Sequence, residues 1–392
     1  VIFMVFLPGR RGLPGRAVVV GKRFPNDNLR HRNKASPIAM SRRPAPVTAI
    51  VRSPAAPASI GAVAARAGVS IATVSRVLNG VANKAAPATV ARVREAAEAL
   101  DYSPARAGRA LRRGRSGLVA LLVPNIANPA MAAIAAGTES ALRADGLTMV
   151  LSDTHDDPAL QDEALRTARA LLADVVVLAG AVASPLLVRL SADGAPLLFV
   201  NRRSPCDAAA PFIGIDNAAA GAEVAQALAE AGIRRVGVIH AALASSATAE
   251  RVAGFRARAT ALGMALRVGL PRAADGAEHL RIGQRAAAEM FARGARPQAL
   301  FCLSDLIAYG AHRAAEAAVI AVPQDLLVVG FDDNPLNDWV APWLSSVAVP
   351  YGAIGDAVAG CVRGMADGTR DLAVLLPHRL VRRAGLAAVA ES

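Results

Sequence analysis

A chain of 392 residues exceeds what one ordinary core holds, since single cores stop growing beyond roughly 250–300 residues. Apolar residues make up 54% of it and charged residues 19%, which excludes global disorder and leaves enough for a sizeable core. The net charge of +13 is unevenly spread: residues 1–57 hold eleven Lys and Arg against one acid, residues 58–115 ten against three, and the remainder twenty-three against twenty-seven. A basic first third ahead of a mildly acidic body suits a polyanion bound at one end only. Three cysteines, Cys206, Cys302 and Cys361, exclude a disulfide framework and do not stand at metal-ligand spacing, so a reducing, cytoplasmic setting is expected. The longest charge-free stretch, Gly117–Thr138, is interrupted by Pro124, Asn125, Asn128 and Pro129 and reads as strand, loop and helix, so no membrane span is expected. Val1–Leu7 is apolar but short and no basic region precedes it, which argues against a signal peptide.

In chain order, residues 1–57 carry scattered Pro, Gly and Arg without sustained periodicity, and are expected to be a disordered or mis-assigned N-terminal extension. A basic arm that touches DNA is the other reading of that segment. Residues 58–103 read as three short helices. Ser59 caps the first, with Ile60, Val63, Ala64 and Ala67 on one face and Gly68 at its end. Ser70 can cap the second, whose inward stripe is Val74, Val77 and Leu78, and Pro87 suits the first position of the third. From Leu118 onward short apolar runs alternate with amphipathic segments. Strands are expected at Leu118–Val123, Leu147–Leu151, Val175–Leu178, Leu197–Val200, Val236–Ile239, Ala299–Leu303 and Leu326–Val329. Helices are expected at Pro158–Leu172, Ala218–Ala231, Ala249–Leu262 and Leu306–Ala318. Near-continuous apolar strands separated by helices mean parallel sheets covered on both faces, and this length suits two α/β lobes with a ligand cleft beyond the strand C-termini.

Ile60–Asn79 satisfies the demands of a helix-turn-helix. Ala64 is small where the helices cross, Gly68 tolerates the tight turn, and the polar start of the second helix faces outward. A helical hairpin without a DNA role has the same spacing. The run Ala67-Gly-Val-Ser-Ile-Ala-Thr-Val-Ser-Arg-Val-Leu-Asn-Gly80, however, strongly resembles the DNA-binding headpiece of the lac repressor family (LacI/GalR) of bacterial transcription regulators. Later marks in the same order are Pro124-Asn-Ile-Ala-Asn-Pro129, Gly214-Ile-Asp-Asn217, Arg251-Val-Ala-Gly-Phe255, Ser304-Asp305 and Gly330-Phe-Asp-Asp333, and the resemblance runs to about Arg383.

The resemblance implies a small all-α helix-turn-helix domain (58–103), a hinge (104–114) and a two-lobed α/β effector domain like periplasmic binding proteins (115–392). By position it implies that Ile71, Ala72 and Arg76 read bases, Arg76 through a bidentate pair to guanine. Ser70, Thr73, Ser75 and Asn79 fall on phosphate-contacting positions. Arg106 and Leu111 fall in the hinge, with Leu111 wedged into the minor groove. For the effector it points to Asn128, Met131, Asp153, Arg251, Ser304, Asp305, Asp332 and Trp339. Arg251 is the best ligand candidate of these; on residues alone the alternatives are a surface Arg at a helix start for Arg251, a turn-capping Asp for Asp332, and core or lobe-crossing packing for Trp339 or Trp343. The chain departs from the pattern at Gly61 and Ala62, at Gly108 in the hinge, and at Ser304, where Asn is more frequent. No leucine heptads stand at the C-terminus.

Other chemistry has little support. Ser152-Asp-Thr-His-Asp-Asp157 has one His among acids and reads as a solvated loop, so no metal is expected. No phosphate-binding glycine loop or Gly-x-Ser-x-Gly elbow is present, and no cofactor or enzyme activity is expected. The expected protein is a homodimeric repressor that binds a pseudo-palindromic double-stranded operator and responds to a sugar or sugar acid. A solute-binding protein or sugar-processing enzyme built on the same α/β body is the alternative.

Overall fold

The computed structural model describes residues 58–78, 85–102, 115–241, 245–268, 278–293, 296–369, 372–384 and 386, and the backbone of two strands, β1 (Ile2–Phe6) and β2 (Ala17–Gly21). Asn79, Arg106, Gly108 and Leu111, with the whole of the expected hinge (104–114), lie outside the described residues.

The first unit is built from α1 (Ile60–Ala67), α2 (Ile71–Leu78) and α3 (Pro87–Ala99). The Ala62 N–H donates to Ser59 Oγ at 3.1 Å, satisfying an orphan donor at the start of α1. Gly68 ends that helix at φ +65°, a left-handed conformation in which a side chain is strained, and its N–H donates back to the Ala64 and Ala65 carbonyls. The turn sets α1 and α2 at 102°. Val63, Val74 and Val93, one from each helix, are fully buried and form the centre of this small core.

The second unit holds two sheets. One has the order β13-β7-β6-β5-β3-β4-β1-β2, with β3 (Leu118–Val123), β4 (Thr148–Asp153), β5 (Val175–Leu178), β6 (Leu197–Val200), β7 (Phe212–Ile215) and β13 (Ala373–Leu376). The other has the order β14-β12-β11-β10-β8-β9, with β8 (Arg235–Ile239), β9 (Ala265–Val268), β10 (Ala299–Cys302), β11 (Leu327–Asp332), β12 (Ser345–Ala348) and β14 (Arg379–Val381). All pairings are parallel except β1 with β2, β1 with β4, and β12 with β14. The expected strands appear within a few residues of their expected bounds. The short β7, β9, β12, β13 and β14 were not anticipated, because their pairing rather than their composition makes them strands.

Residues 1–57 differ from expectation at β1 and β2. Their runs Ile-Phe-Met-Val-Phe and Ala-Val-Val-Val-Gly are rich in aromatic and β-branched residues, and β4 offers a row of unpaired backbone groups at the sheet edge. β1 takes that edge antiparallel, with Met4 opposite Leu151. This hairpin corrects the expectation of disorder for those two stretches.

Helices cover the sheets: α4 (Pro129–Ala144), α5 (Pro158–Ala170), α6 (Pro185–Ala192) and α12 (Tyr351–Ala366) with the first, and α7 (Asn217–Glu230), α8 (Ser246–Ala261), α9 (His279–Ala292), α10 (Asp305–Ala317) and the one-turn α11 (Asn337–Val340) with the second. The chain passes between the lobes at residues 215–217, 348–351 and 376–379. Those short crossings place the ends of β7, β12 and β13 around one inter-lobe region, which the end of β11 joins through Asp332.

Candidate functional site

Two regions carry the expected residues. On α2 the apolar stripe sorts the faces: Val74 and Val77 point into the core, while Ser70, Ile71, Ala72 and Arg76 are exposed and Thr73 and Ser75 are half-buried. The Thr73 N–H donates to Ser70 Oγ at 3.2 Å, and the two hydroxyls lie 2.9 Å apart. Arg76 lies along the outward face, with Nε donating to the Ala72 carbonyl one turn back at 3.3 Å. Ile71 is 54% exposed on the same outward face. None of the three helices has an acid in its first turn, so their positive N-terminal ends are open to phosphate.

In the second unit the inter-lobe region is built around Arg251. Helices α7 and α8 cross so closely that a Cβ on Gly254 would overlap the Ala218 carbonyl, and one on Gly221 the Arg251 carbonyl. That approach brings Asn217, the first residue of α7, within reach of α8. Arg251 Nε donates to Asn217 Oδ1 at 2.9 Å, Nη1 donates to the Leu303 carbonyl at 3.3 Å, and the guanidinium lies 3.5 Å from the Phe331 ring centroid. Burial lowers its affinity for the proton and the nearby Asp332 carboxylate opposes that, leaving a fixed buried cation.

Asp332 ends β11 with φ +106°, and Asp333 follows at φ +49°. Two consecutive non-glycine residues in the left-handed region are strained backbone held by their surroundings. Burial pushes the Asp332 carboxyl up to about 6, against Arg251 and the Tyr351 hydroxyl, which donates to Oδ1 at 2.6 Å. Asp305 is committed on both oxygens: Oδ2 accepts from Asn334 N–H at 2.7 Å and Asn337 Nδ2 at 2.8 Å, and Oδ1 from Ser346 Oγ at 2.6 Å. Burial and the adjacent Asp332 push it up to about 7 despite those donors. Ser304 caps α10 through the Ile307 N–H at 3.3 Å and lies 3.1 Å from His279 Nδ1.

Asn128, Asp305, Asp332 and Tyr351 converge on a cavity of ≈ 30 Å³ between the lobes. Asn128 also caps α4, accepting from the Ala130 N–H at 3.0 Å. Five expected residues do not line it: Arg251 and Ser304, placed above, and Met131, Asp153 and Trp339. Met131 is buried in the hydrophobic core, because its helix turns that position inward. Asp153 accepts from the Ile126 N–H at 3.0 Å and holds the loop after β3. Trp339 is 83% exposed on α11 and is not among the residues lining this cavity, while Trp343 stacks on His312 at 4.1 Å. A larger cavity of ≈ 370 Å³ lies against Phe199, Pro211 and Met365 in the first lobe, and its only carboxylate, Asp207, accepts from the Ala209 N–H. Among the described residues no group of three or more His, Cys, Asp or Glu could hold a metal, and no single helix is long and apolar enough to cross a membrane.

Asn217, Phe331 and Tyr351 were missed by sequence reasoning. The first two stood inside quoted marks, Gly214–Asn217 and Gly330–Asp333, as unexplained members. Tyr351 had no local signal, since its partner is nineteen residues away and across a lobe crossing.

Residues 59–105 match the bacterial regulatory proteins of the lacI family, and residues 225–385 match the periplasmic binding protein-like domain. The chain is 33% identical over 331 residues to the HTH-type transcriptional regulator MalR of Streptomyces coelicolor, covering 82% of this chain and 94% of that one. Among solved structures, it is similar to a complex of the transcriptional regulator CelR with cellobiose, at 29% identity, TM-score 0.62 and coverage of 84% and 99%. It shares the fold of a lac repressor dimer bound to operator and the anti-inducer ONPF, at 24% identity, TM-score 0.73 and the same coverage.

Proposed function

The chain belongs to the lacI family of bacterial regulatory proteins, and from that membership we propose that it is a cytoplasmic repressor released from its operator by a hydroxylated, sugar-class effector. DNA binding and regulation by a ligand belong to the family reading itself; repression and the effector class are the further step. The observation that carries it is the Arg251–Asp332 pair. Arg251, fixed by Asn217, Leu303 and Phe331, is the cationic neighbour of Asp332, and Asp332 lines the inter-lobe cavity with Asn128, Asp305 and Tyr351, so a charge-balanced carboxylate acceptor faces a polar cavity suited to a hydroxylated ligand. CelR was solved with cellobiose, which supports the same ligand class here.

On the DNA side, Arg76, Ile71 and Ala72 read bases and Ser70, Thr73 and Ser75 position α2 on phosphates; the exposed outward face of α2 supports this. Asn79, Arg106 and Leu111 join that set by resemblance. Two copies would bind a pseudo-palindrome. Leu336, Trp339 and Val340, at 55%, 83% and 65% exposure on and beside one turn of helix, form an apolar patch that a second copy would cover. The test is selection of bound sequences from a random duplex pool, followed by titration of the selected duplex with cellobiose, maltose, glucose and ribose. Enrichment of a two-fold symmetric site and its release by one sugar are expected. Enrichment without release by any sugar would overturn the effector class.

A further inference from the structure

Tyr351 is the first residue of α12, at the crossing from β12 in the second lobe to a helix of the first. Its hydroxyl donates to Asp332 at the end of β11, so this hydrogen bond joins the two lobes at the cavity both residues line. The two partners are held very differently. Asp332 sits on strained backbone that is pinned directly behind it: the Asp333 N–H donates to Ser346 Oγ at 3.1 Å, and the Asp333 carboxylate accepts from Arg383 Nη1 at 2.8 Å. The Tyr351 ring hangs from the start of a helix, half-buried and packed against the hydrophobic core, so withdrawing it disturbs the packing at the start of α12. The phenol keeps its proton, because burial and the facing carboxylate raise its ionisation well above the ordinary value. It is therefore a permanent O–H donor aimed at a fixed carboxylate.

We propose that the Tyr351 phenol stands in for an effector hydroxyl on Asp332, and that an effector binds by displacing it. This rests on the reading of Asp332 as an effector residue. Tyr351 is then a specificity-determining residue in two ways. An effector must bring its own O–H or N–H donor to Asp332 to replace the one it removes, so acceptor-only groups are rejected at that position. Displacement also moves the start of α12, which packs on α4, whose cap Asn128 faces the same cavity. The exchange is thereby felt in the lobe that continues from residues 115–117 into β3.

Tyr351→Phe keeps the ring and removes the competitor. Calorimetric titration of the full chain and of this variant with cellobiose, maltose, glucose and ribose reads the effect. The sugar that binds the parent chain should bind Tyr351→Phe about tenfold more tightly, the scale of one hydrogen bond to a charged acceptor. Equal or weaker binding by the variant overturns the exchange while leaving the sugar site intact. Binding of none of these sugars to either protein overturns the sugar-site reading, and the exchange with it. A second readout guards against a misfolded variant: in the parent chain labelled at the tyrosine ring carbons, the Tyr351 signal should shift when that sugar saturates. A Tyr351 signal that stays put also overturns the proposal.

Discussion

The outward face of α2 and the inter-lobe cleft, the two surfaces to which function is assigned in the proposal above, are of opposite kinds. On α2, Arg76 and Ile71 project from an element whose other face, Val74 and Val77, already accounts for its folding. In the cleft Arg251 is 6% exposed and depends on Asn217, Leu303 and Phe331, contributed by three other parts of the chain. A surface residue can change without disturbing its support, whereas a buried one is part of its own scaffold. With the roles proposed above, DNA specificity is the easier of the two to alter by substitution, and effector recognition is the more tightly bound to the fold.

The largest expected effect comes from the scaffold of the cleft. Gly254→Ala forces a methyl group into the Ala218 carbonyl, and as backbone rather than a flexible side chain must yield, a loss of about 3 kcal/mol or more is expected in chemical denaturation of the body. A loss below about 1 kcal/mol would show that α7 and α8 are free to separate. Arg251→Ala should abolish the sugar response of operator binding at temperatures where the variant remains folded, because Asp332 loses the buried cation that balances its charge. Retained release at the parent's sugar concentration, read by fluorescence anisotropy, would remove Arg251 from the site.

Acidity gives a third contrast, since the headpiece holds no comparable buried carboxyl among its described residues. The folded Asp305 carboxyl stands at about 7 against an ordinary 3.8. A raised carboxyl favours the folded state while protonated, so its contribution is full below about pH 4 and is lost as pH rises through about 7. Body stability from this group should fall by on the order of 2 kcal/mol between pH 5 and pH 8, and Asp305→Asn should flatten that slope. An unchanged slope in the variant would assign the dependence elsewhere.

On the headpiece, Arg76→Ala should cost about 1–3 kcal/mol on the operator and relax preference at one base pair per half-site. Equal losses on operator and random duplex would make Arg76 a phosphate contact. Gly68→Ala completes the comparison: its Cβ meets nothing within 4 Å, so the cost is only that of φ +65°, about 1 kcal/mol in thermal unfolding. A cost as large as that at Gly254 would mean that this turn, too, is packed rather than merely strained.

Legibility in the sequence follows the same division. The caps at Ser59 and Gly68, the stripe on α2 and the continuous apolar strands are local patterns set by helix and strand periods, and they were readable in order. The cleft was readable only as isolated members of marks, because what joins Asn217 to Arg251, or Tyr351 to Asp332, is a helix crossing or a lobe crossing. Trp339 shows the same limit: its proximity to Asp332 in sequence says nothing of the turn of α11 that carries it to the surface. The β1–β2 hairpin was missed because the edge that recruits it lies some 145 residues further on.

Reciprocity of the two regions is the central claim, and the affinity of the full chain for its sugar with and without saturating operator tests it most directly. If effector and operator favour incompatible arrangements, operator weakens sugar binding by the same factor by which sugar weakens operator binding, within roughly 5–150-fold. Identical sugar affinity in the presence and absence of operator would contradict the account.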